Sequence, residues 1–442
     1  MTIRDLLAAA DAKAVGAAMH AMVVELYPLC RSITGDGLRQ TLAGIARRIP
    51  LAIHEVPTGT RVFDWTIPKE WNVRAATLKD PRGSVVVDFK DSNLHVVSYS
   101  TPVEARLSLA ALRPHLHSLP EHPDWVPYRT TYYKEDWGLC LSHRQLEALE
   151  DGEYEVRIDA TLAPGSLSYG ELFLPGASED EILVSCHVCH PSLANDNLAG
   201  VAVVTALAER LATVARRYSY RFVFAPGTIG AIAWLARNEA GLGRIKHGLV
   251  AACLGDPGPM TYKRTRAGAA TIDRAVLSVL GNSGEAFEVL DFVPFGYDER
   301  QFNSPGIALA VGSLTRTPHG RYPEYHTSAD NPDLVTPEAL ADSWSKYLQV
   351  FEILEGNETY INLSPKGEPQ LGRRGLYRAV GGGGEGREKE LALLWVLNLS
   401  DGRHSLLDVA ERSRLGFAAI RAAADLLLEA ELLAPASSAA TP

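Results

Sequence analysis

The sequence predicts an α/β protein with a mainly parallel central sheet flanked by helices, an inserted small β-rich domain and a C-terminal winged-helix-like domain. From residue 151 to 365, apolar runs of strand length such as EILVSCH and YRFVFAP alternate with helical patterns, which is typical of a parallel sheet covered on both faces. From 61 to 150, short β-type stretches such as SVVVDF and LHVVSYS lie between turn residues. After residue 388, three short helical patterns suit a winged helix.

The chain has 442 residues, which is long for one compact core, so several domains are expected. The amphipathic patterns before residue 60 suit the sheet-containing domain. We therefore assign 1–60 and 151–365 to one domain and 61–150 to an insertion in it. A glycine-rich, charged stretch at 366–387 is predicted to be a linker, and 388–442 to be the winged-helix-like domain.

Composition and charge disfavour several classes of protein. The net charge of −10 and the pI near 5.8 argue against a nucleic-acid binder, which needs a basic face. Residues 388–433 hold five Lys or Arg against eight Asp or Glu, so packing or protein contact is the favoured role of the C-terminal module. No apolar run approaches the roughly 20 residues needed to cross a bilayer.

The N-terminus and the cysteines indicate a cellular compartment. Charged residues interrupt the apolar pattern of the first 30 residues, so an amphipathic helix is expected there and not a signal peptide. Five scattered cysteines suit a reducing environment, and we expect a cytoplasmic protein. We further expect a homo-oligomer that binds neither nucleic acid nor membrane.

Each conspicuous polar motif follows one of the predicted strands. HVCHPSLANDN follows EILVSC, PGTIG follows RFVFA, GDPGP follows LVAACL, and RTPHGRYPEYHTSAD follows IALAVGSL. In parallel sheets the chemistry lies at the carboxyl ends of the strands. The sequence therefore predicts that these motifs converge on one functional edge.

The CHVCH segment at 186–190 permits several interpretations. It fits the C-x-x-C-H pattern of covalent haem attachment and contains the Cys-x-x-Cys of thioredoxin-like redox sites. Both sites belong to helical contexts, whereas a buried strand precedes this segment and a proline follows it. A structural zinc site would need a second cysteine pair. A further interpretation joins His187 to Asp196, in the tight turn that follows, and to the distant His326, since imidazole and carboxylate groups suit a divalent metal.

With these residues the sequence resembles the zinc aminopeptidase superfamily, which also contains glutamate carboxypeptidases and glutaminyl cyclases. In that family a strand ends in His-x-Asp and an Asp-Asn-x-x-Gly turn follows. A Glu-Glu pair and a further aspartate come after the next strands, and a Tyr-His-Thr motif comes last. Here the matching residues are His187, Asp196 in DNLAG, Asp256 in LGDPG and His326 in YHTSAD. Asp298 in YDERQFNSPGIAL stands where the family has a Ser-Asp-His motif.

A bacterial aminopeptidase-like subgroup is more similar still, over nearly the whole chain. It has an inserted β-rich domain, a winged-helix C-terminus and motifs similar to CRSITGDGLRQTL, YSTPV, CHPSLANDNLAG, DERQFNSPG and PEYHTSADN. Its members often sit among genes for surface polysaccharide or natural-product assembly. The resemblance implies a zinc exopeptidase-like fold and a hydrolase of amide or peptide-like bonds.

Two positions depart from the superfamily pattern. Cys189 replaces the aspartate of His-x-Asp, which orients the histidine in the family. Gly227 and Thr228 occupy the place of the Glu-Glu pair, and neither can supply a general base or a carboxylate ligand. The chain thus lacks one ligand and the usual proton acceptor of a two-zinc site.

We infer a single zinc ion with water in the fourth coordination place, because three protein ligands and an open position are typical of catalytic zinc. The predicted ligands are His187, Asp196 and His326. A second zinc remains an option, for which Asp256 and His190 are the further candidates.

Another group must then take the proton from the attacking water. Glu299, in the Asp-Glu-Arg triplet, and Glu324, on the loop of the Tyr-His-Thr motif, are the candidates. Tyr325 is a candidate for hydrogen bonding to an oxyanion. Arg31 and Arg316 are candidates for binding a substrate carboxylate.

The sequence-based hypothesis is a zinc-dependent aminopeptidase-like hydrolase that cleaves an amide or peptide bond of a small peptide or aminoacyl-type substrate through zinc-activated water. One alternative is a metal-dependent biosynthetic enzyme, a cyclase or amide-processing catalyst of a polysaccharide or natural-product pathway, which the missing glutamates favour. The other alternative is a non-catalytic scaffold that has kept the aminopeptidase fold.

Overall fold

The structure is a computed structural model that describes residues 2–376 and 384–436. In chain order the strands are β1 (Ala52–Pro57), β2 (Arg61–Val62), β3 (Trp65–Thr66), β4 (Glu70–Lys79), β5 (Val85–Asp88), β6 (Val103–Ser108), β7 (Leu116–His117), β8 (Leu139–Cys140), β9 (Glu153–Ala163), β10 (Ser166–Leu174), β11 (Glu181–His187), β12 (Ser219–Ala225), β13 (Ile245–Ala251), β14 (Met260–Lys263), β15 (Phe287–Leu290), β16 (Val311–Thr315), β17 (Thr359–Asn362), β18 (Asp401–Ser405) and β19 (Leu433–Pro435). The α-helices are α1 (Ile3–Ala9), α2 (Ala12–Leu26), α3 (Asp36–Ala46), α4 (Leu109–Leu112), α5 (His143–Glu147), α6 (Gly200–Leu211), α7 (Ile229–Asn238), α8 (Thr271–Asn282), α9 (Glu299–Phe302), α10 (Pro337–Gly356), α11 (Gly384–Leu399), α12 (Leu406–Ser413) and α13 (Phe417–Glu429).

The central sheet has the strand order β1-β10-β12-β11-β13-β16-β14-β15. Its middle strands, β12-β11-β13-β16, are parallel, and helices α6 and α7 carry the chain between the first three of them. Antiparallel pairs complete it on both sides, β1 with β10 and β10 with β12 at one end, and β14 with β16 toward the other. Every residue of β11 is buried, as expected for a strand with both faces covered. The predicted α/β class is confirmed.

A second, antiparallel sheet, β5-β4-β9-β6, occupies the chain between β1 and β10. It buries one face, on which Trp71 and Leu78 of β4 pack with Val156 and Ile158 of β9. This is the β-rich region that the sequence predicts. Its strand β9 continues to Ala163, beyond the predicted boundary at residue 150, because its pairing with β4 extends that far.

The chain divides by its contacts into two compact units. The first contains Met1–Gly268 and Ala286–Ser345, so the central sheet and the β-rich sheet belong to the same unit. The second contains Ala269–Glu285 and the described residues from Lys346 onward. Helix α8, which the sequence pattern suggested for the sheet domain, therefore belongs to the second unit. There Arg274 of α8 forms ion pairs of 2.6 Å with Asp408 and with Glu411.

The second unit contains the winged-helix-like module, in which the sheet β18-β17-β19 accompanies helices α11 to α13. Strand β17 pairs with both β18 and β19, so the module begins before the predicted boundary at 388. Helix α11 begins inside the stretch predicted as a linker (366–387). Residues 377–383 of that linker and 437–442 of the predicted C-terminal domain lie outside the described residues.

Among the described residues no single helix is long and apolar enough to cross a membrane. Only α1 and α2 taken together, with a bend of 94° between them, meet such a test, and they do so by length and composition alone.

Candidate metal centre

The carboxyl ends of the parallel strands bring the polar motifs together, as the alternation of strands and helices predicts. Strand β11 ends at His187, which lies beside Ala225 at the end of β12. The chain after β11 turns through His190 and enters the irregular helical turn Ala194–Ala199 before α6 begins. His326 comes from the loop between β16 and α10.

Three imidazoles meet at one carboxylate. Nε2 of His187 lies 2.8 Å from Oδ1 of Asp196. Nε2 of His326 and Nδ1 of His190 lie 3.1 Å and 3.2 Å from Oδ2 of the same residue. Asp196 is fully buried and His187 is 4% exposed. The predicted ligands His187, Asp196 and His326 thus lie side by side, and His190 joins them at the same site.

The turn that presents Asp196 is fixed by its neighbours. Both oxygens of the buried Asp330 accept backbone hydrogen bonds, from the N–H of Asn195 at 2.6 Å and from that of Asp196 at 3.0 Å. The side-chain amide of Asn197 donates to the carbonyl oxygens of His187 and Ala251, at 3.2 Å and 3.1 Å. The end of β11, the end of β13 and the turn are therefore tied together, which holds the carboxylate toward the imidazoles.

The β-rich region contributes to the same site. Tyr128 donates its backbone N–H to the carbonyl oxygen of His326 at 2.8 Å. Its ring stands edge-on to His326 and His190, with ring centroids 5.0 Å and 5.3 Å apart. The Tyr128 hydroxyl forms a 2.5 Å hydrogen bond with the hydroxyl of Tyr132. The inserted segment thus supports two of the four candidate ligands.

The donor set fits a metal ion. The candidate ligand atoms of His187, His190 and Asp196 lie within 4.8 Å of one another, and imidazole nitrogen with carboxylate oxygen is a common zinc ligand set. Nδ1 of His190 is buried and has no hydrogen bond with suitable geometry in the described part of the chain, although Asp196 is close. Burial opposes ionisation of Asp196, but the imidazoles, His190 first among them, outweigh it and hold its pKa well below the ordinary value. A carboxylate that stays ionised is the form that binds cations.

A small cavity opens beside the cluster. Its lining consists of His187, Cys189, His190, Gly227, Thr228, Gly296, Tyr297, Asp298 and Tyr325. Tyr325 stacks on His326, with ring centroids 3.9 Å apart and planes at 14°, so one predicted catalytic residue lies where the sequence places it. Burial raises the pKa of the Tyr325 hydroxyl, which therefore keeps its proton and can donate a hydrogen bond.

Asp298 is a functional candidate that is not among the catalytic residues predicted from the sequence. It is 3% exposed and lines the cavity, next to Gly227. A Cβ atom added to Gly227 would lie 3.6 Å from each Asp298 oxygen. Burial, together with the nearby Glu299, raises the pKa of Asp298 to about 7. The resemblance places Asp298 where the superfamily has its Ser-Asp-His motif, whereas the sequence predicts the neighbouring Glu299 as a base.

Glu299 and Glu324, the two glutamates predicted as bases, are not among the residues that line the cavity. Glu299 is fully buried and its Oε1 receives a 2.7 Å hydrogen bond from Nζ of Lys263. Glu324 is partly buried, and its backbone oxygen accepts from Thr327. These positions give no support to a catalytic role for either glutamate, because neither is among the described residues that line the cavity next to the imidazoles.

Arg31 and Arg316, predicted to bind a substrate carboxylate, have other partners. Arg31 is 1% exposed and donates to the carbonyl oxygens of His190 and Leu26, at 2.8 Å and 2.6 Å. Arg316 forms a 2.8 Å ion pair with Asp342. Arg31 therefore supports the His190 turn from within the protein, and a substrate-binding role has no support for either arginine.

Asp256, the further candidate for a second metal, is likewise engaged. Its two oxygens accept hydrogen bonds from the side chains of Asn195 and Thr317, at 3.1 Å and 2.5 Å, and from the backbone N–H of Gly258 at 2.8 Å. Asp256 thus stabilises the loop that precedes Asp196 through its contact with Asn195. These contacts favour a supporting role over metal ligation.

The central sheet and its helices have the architecture of zinc aminopeptidases. A zinc aminopeptidase from Bacillus subtilis superposes with a TM-score of 0.57 at 12% identity, over 76% of this chain and 94% of that chain. A peptidase M28 precursor from Shewanella amazonensis SB2B has a TM-score of 0.57 at 14% identity, over 80% of this chain and 96% of that chain. The aminopeptidase-like fold implied by the sequence resemblance is confirmed.

A family model described as a domain of unknown function, DUF4910, matches residues 20–357, and a winged helix-turn-helix model matches residues 358–435. The chain belongs to the DUF4910 family, and its predicted winged-helix domain is confirmed. A Clostridium acetobutylicum protein named "Putative polysaccharide biosynthesis protein with aminopeptidase-like domain" is 52% identical over 418 residues, which are 95% of this chain and 96% of that protein. The crystal structure of a "putative peptidase" from Clostridium acetobutylicum matches with a TM-score of 0.93 at 49% identity, over 98% of this chain and 99% of that chain.

Proposed function

We propose that the protein is a zinc-dependent hydrolase that cleaves an amide or peptide bond in a small peptide or aminoacyl-type substrate. One observation carries the proposal: three imidazole nitrogens approach the Asp196 carboxylate at 2.8 to 3.2 Å beside a cavity at the ends of the parallel strands. Such a set of ligands in an aminopeptidase-like fold is the arrangement that a catalytic metal requires.

The proposed ligands of a single zinc ion are His187, Asp196 and His326, with His190 as a fourth candidate. Zinc in catalytic sites takes three protein ligands and leaves a position open. When bound, zinc would lower the pKa of a water molecule and polarise a substrate carbonyl group. A single ion is favoured over two because the oxygens of Asp256 already accept several hydrogen bonds.

The chain's own groups would orient the substrate at this site. The Tyr325 hydroxyl, in the cavity wall, would donate a hydrogen bond to the carbonyl oxygen as it gains negative charge. Gly227 lacks a side chain and leaves room for the substrate next to Asp298. Because the imidazole side of the cavity is largely buried, these hydrogen bonds would form away from bulk water, where they are stronger.

A second candidate function is a metal-dependent step of polysaccharide assembly. The relative from Clostridium acetobutylicum is named for polysaccharide biosynthesis as well as for its aminopeptidase-like domain. The same metal centre would then act on an amide of a sugar or sugar-linked intermediate. Turnover of N-acetylated amino sugars in the absence of any peptidase activity would favour this candidate.

Metal analysis tests the proposal most directly. Purified protein is stripped with a chelator, reloaded with zinc and analysed by plasma mass spectrometry, and we expect about one zinc per chain. The variants D196N and H326A should lose most of this zinc. The matched control is H404A, since His404 contacts Asp401 at 3.0 Å but is exposed and lies outside the cluster.

Folding of each variant is checked by circular dichroism, so that loss of metal is not mistaken for loss of structure. Activity is then measured with aminoacyl 7-amido-4-methylcoumarins and with N-acetylated amino sugars. The proposal fails if the wild-type protein binds no zinc, or if both D196N and H326A keep it.

A further inference from the structure

The Asp298 carboxyl group has an unusual position for a buried acid. It is 3% exposed, yet in the described part of the chain it has neither a hydrogen bond nor an ion-pair partner within 4.0 Å. It stands at the start of the short helix α9 without capping that helix. Its oxygens face the cavity that His187 and His190 also line. Buried polar groups normally have partners, so one without a partner in a cavity wall indicates a place for a ligand or a water molecule.

Asp298 lines the cavity, whereas its neighbours Glu299 and Arg300 do not. Oε1 of Glu299 pairs with Lys263 at 2.7 Å, and its Oε2 is buried away from the described cavity lining. Arg300 turns to the Thr228 hydroxyl, to which it donates at 3.1 Å. Opposite lies Gly227, where any side chain would begin 3.6 Å from the Asp298 oxygens and 3.3 Å from Cβ of His187. The absence of a side chain at Gly227 therefore leaves the carboxyl group accessible from the side of the imidazoles.

We propose that Asp298 is the proton-transfer residue of this site. The inference rests on the proposed amide hydrolysis. A carboxylate oxygen of Asp298 accepts one proton from the attacking water while the water oxygen bonds to the carbonyl carbon. When the carbon–nitrogen bond breaks, Asp298 returns that proton to the leaving nitrogen. The products are a carboxylic acid and an amine, and no group is oxidised or reduced.

The electrostatic surroundings suit this task. Burial and the charge of Glu299 raise the pKa of Asp298 to about 7, and Arg300 opposes the shift. The thiols of Cys186 and Cys189 also face it and stay protonated, because burial raises their pKa values. A general base works best when its pKa lies near the working pH, since it can then both take and return a proton. Asp298 is the only aspartate or glutamate among the described residues that line the cavity.

The test compares D298N with the control D291N, which removes a charge from an exposed aspartate in the segment before Gly296. Both proteins are loaded with zinc, and turnover of the aminoacyl 7-amido-4-methylcoumarins is followed as a function of pH. We expect D298N to keep its zinc and its KM and to lose kcat by about 100-fold or more. The wild-type profile should rise with pH as Asp298 becomes deprotonated, and D298N should lack this rise.

A second measurement does not depend on turnover. The infrared difference spectrum between the zinc-loaded wild type and D298N shows the carboxyl band of Asp298. The pKa obtained by following this band with pH should lie well above the ordinary value for aspartate, about 4. Titration near that ordinary value would overturn the proposal even if none of the amides is cleaved.

Other outcomes would overturn the assignment of Asp298 as the proton-transfer residue in different ways. If D298N loses zinc, Asp298 is a ligand. If D298N raises only the KM of substrates with a free amine and leaves their N-acetylated forms unaffected, Asp298 binds the amine. If kcat stays within about threefold of the wild type at full zinc content, another group transfers the proton. A wild-type protein without zinc would instead refute the proposed function.

Discussion

The role of the ion pair between Lys263 and Glu299 bears on which acid is the general base, Asp298 or Glu299. Lys263 is 9% exposed and Glu299 is fully buried, and they are 2.7 Å apart. Lys263 also donates to the Phe295 carbonyl oxygen at 2.6 Å. If this pair is structural, E299Q should destabilise the protein, because Lys263 would keep a buried charge without its counter-charge.

The expected size of that effect follows from the burial. Removing one partner of a buried ion pair costs about 3–5 kcal/mol, and glutamine retains one acceptor oxygen, so we expect about 3 kcal/mol. In a compact unit of about 330 residues this lowers Tm by ~4 °C. K263M should cost a similar amount. The double variant K263M/E299Q should cost clearly less than the sum, with a coupling energy of about 2 kcal/mol.

Thermal and urea unfolding of the four proteins measure this cycle, and zinc content and turnover are recorded in parallel. We expect E299Q to keep its zinc and most of its kcat. Its pH profile should move to lower pH, because Glu299 helps to raise the pKa of Asp298. A coupling energy below about 0.5 kcal/mol would refute the structural role. Loss of turnover in a stable, zinc-loaded E299Q would refute the assignment to Asp298 and restore Glu299 as the base.

Three further predictions concern the support of the metal centre. H190A should keep its fold but bind zinc at least about 10-fold more weakly, as measured by competition with a fluorescent chelator, since even the loss of a residue that only supports a ligand costs that much, and unchanged affinity would exclude His190 as a ligand. R31M should lower Tm, because Arg31 is buried and donates to the His190 carbonyl oxygen. The substitution should change KM by the same factor for substrates with a free carboxylate and for substrates without one. A KM rise confined to the carboxylate substrates would support the sequence-based role of Arg31. Zinc affinity of the wild type should fall on acidification, since protons compete with the metal for the imidazole nitrogens, and isothermal titration at a series of pH values would contradict the site if affinity stayed constant.

The location of the site follows from the sequence to a large extent. His187, Asp196 and His326 each lie after a strand of the parallel region, and parallel strands end at the same edge of a sheet. The chemical preference of zinc for imidazole and carboxylate then selects them from the other polar residues. The distance of His190 from Asp196 depends on how residues 191–195 fold, and sequence spacing does not fix that.

The choice between adjacent acids does not follow from the sequence. Asp298 and Glu299 are neighbours at the start of a short helix, where consecutive side chains point about 100° apart. Whether Asp298 or Glu299 lines the cavity depends on Lys263, which lies on strand β14 and binds Glu299. The contacts of Arg31 do not follow from the sequence either, because its acceptors are backbone carbonyl oxygens that carry no signature in the sequence.

The proposed metal ligands are unevenly distributed along the chain. His187, His190 and Asp196 come from a single stretch of ten residues, whereas His326 follows 130 residues after Asp196. Closing a short loop costs less chain entropy than closing a long one, so bringing His326 to the site is the larger entropic cost. During synthesis these three side chains leave the ribosome well before His326. Because Asp330, which fixes the turn of Asp196, follows even His326 in the sequence, the full ligand set forms only in the folded unit, and zinc that binds it should stabilise that unit against unfolding.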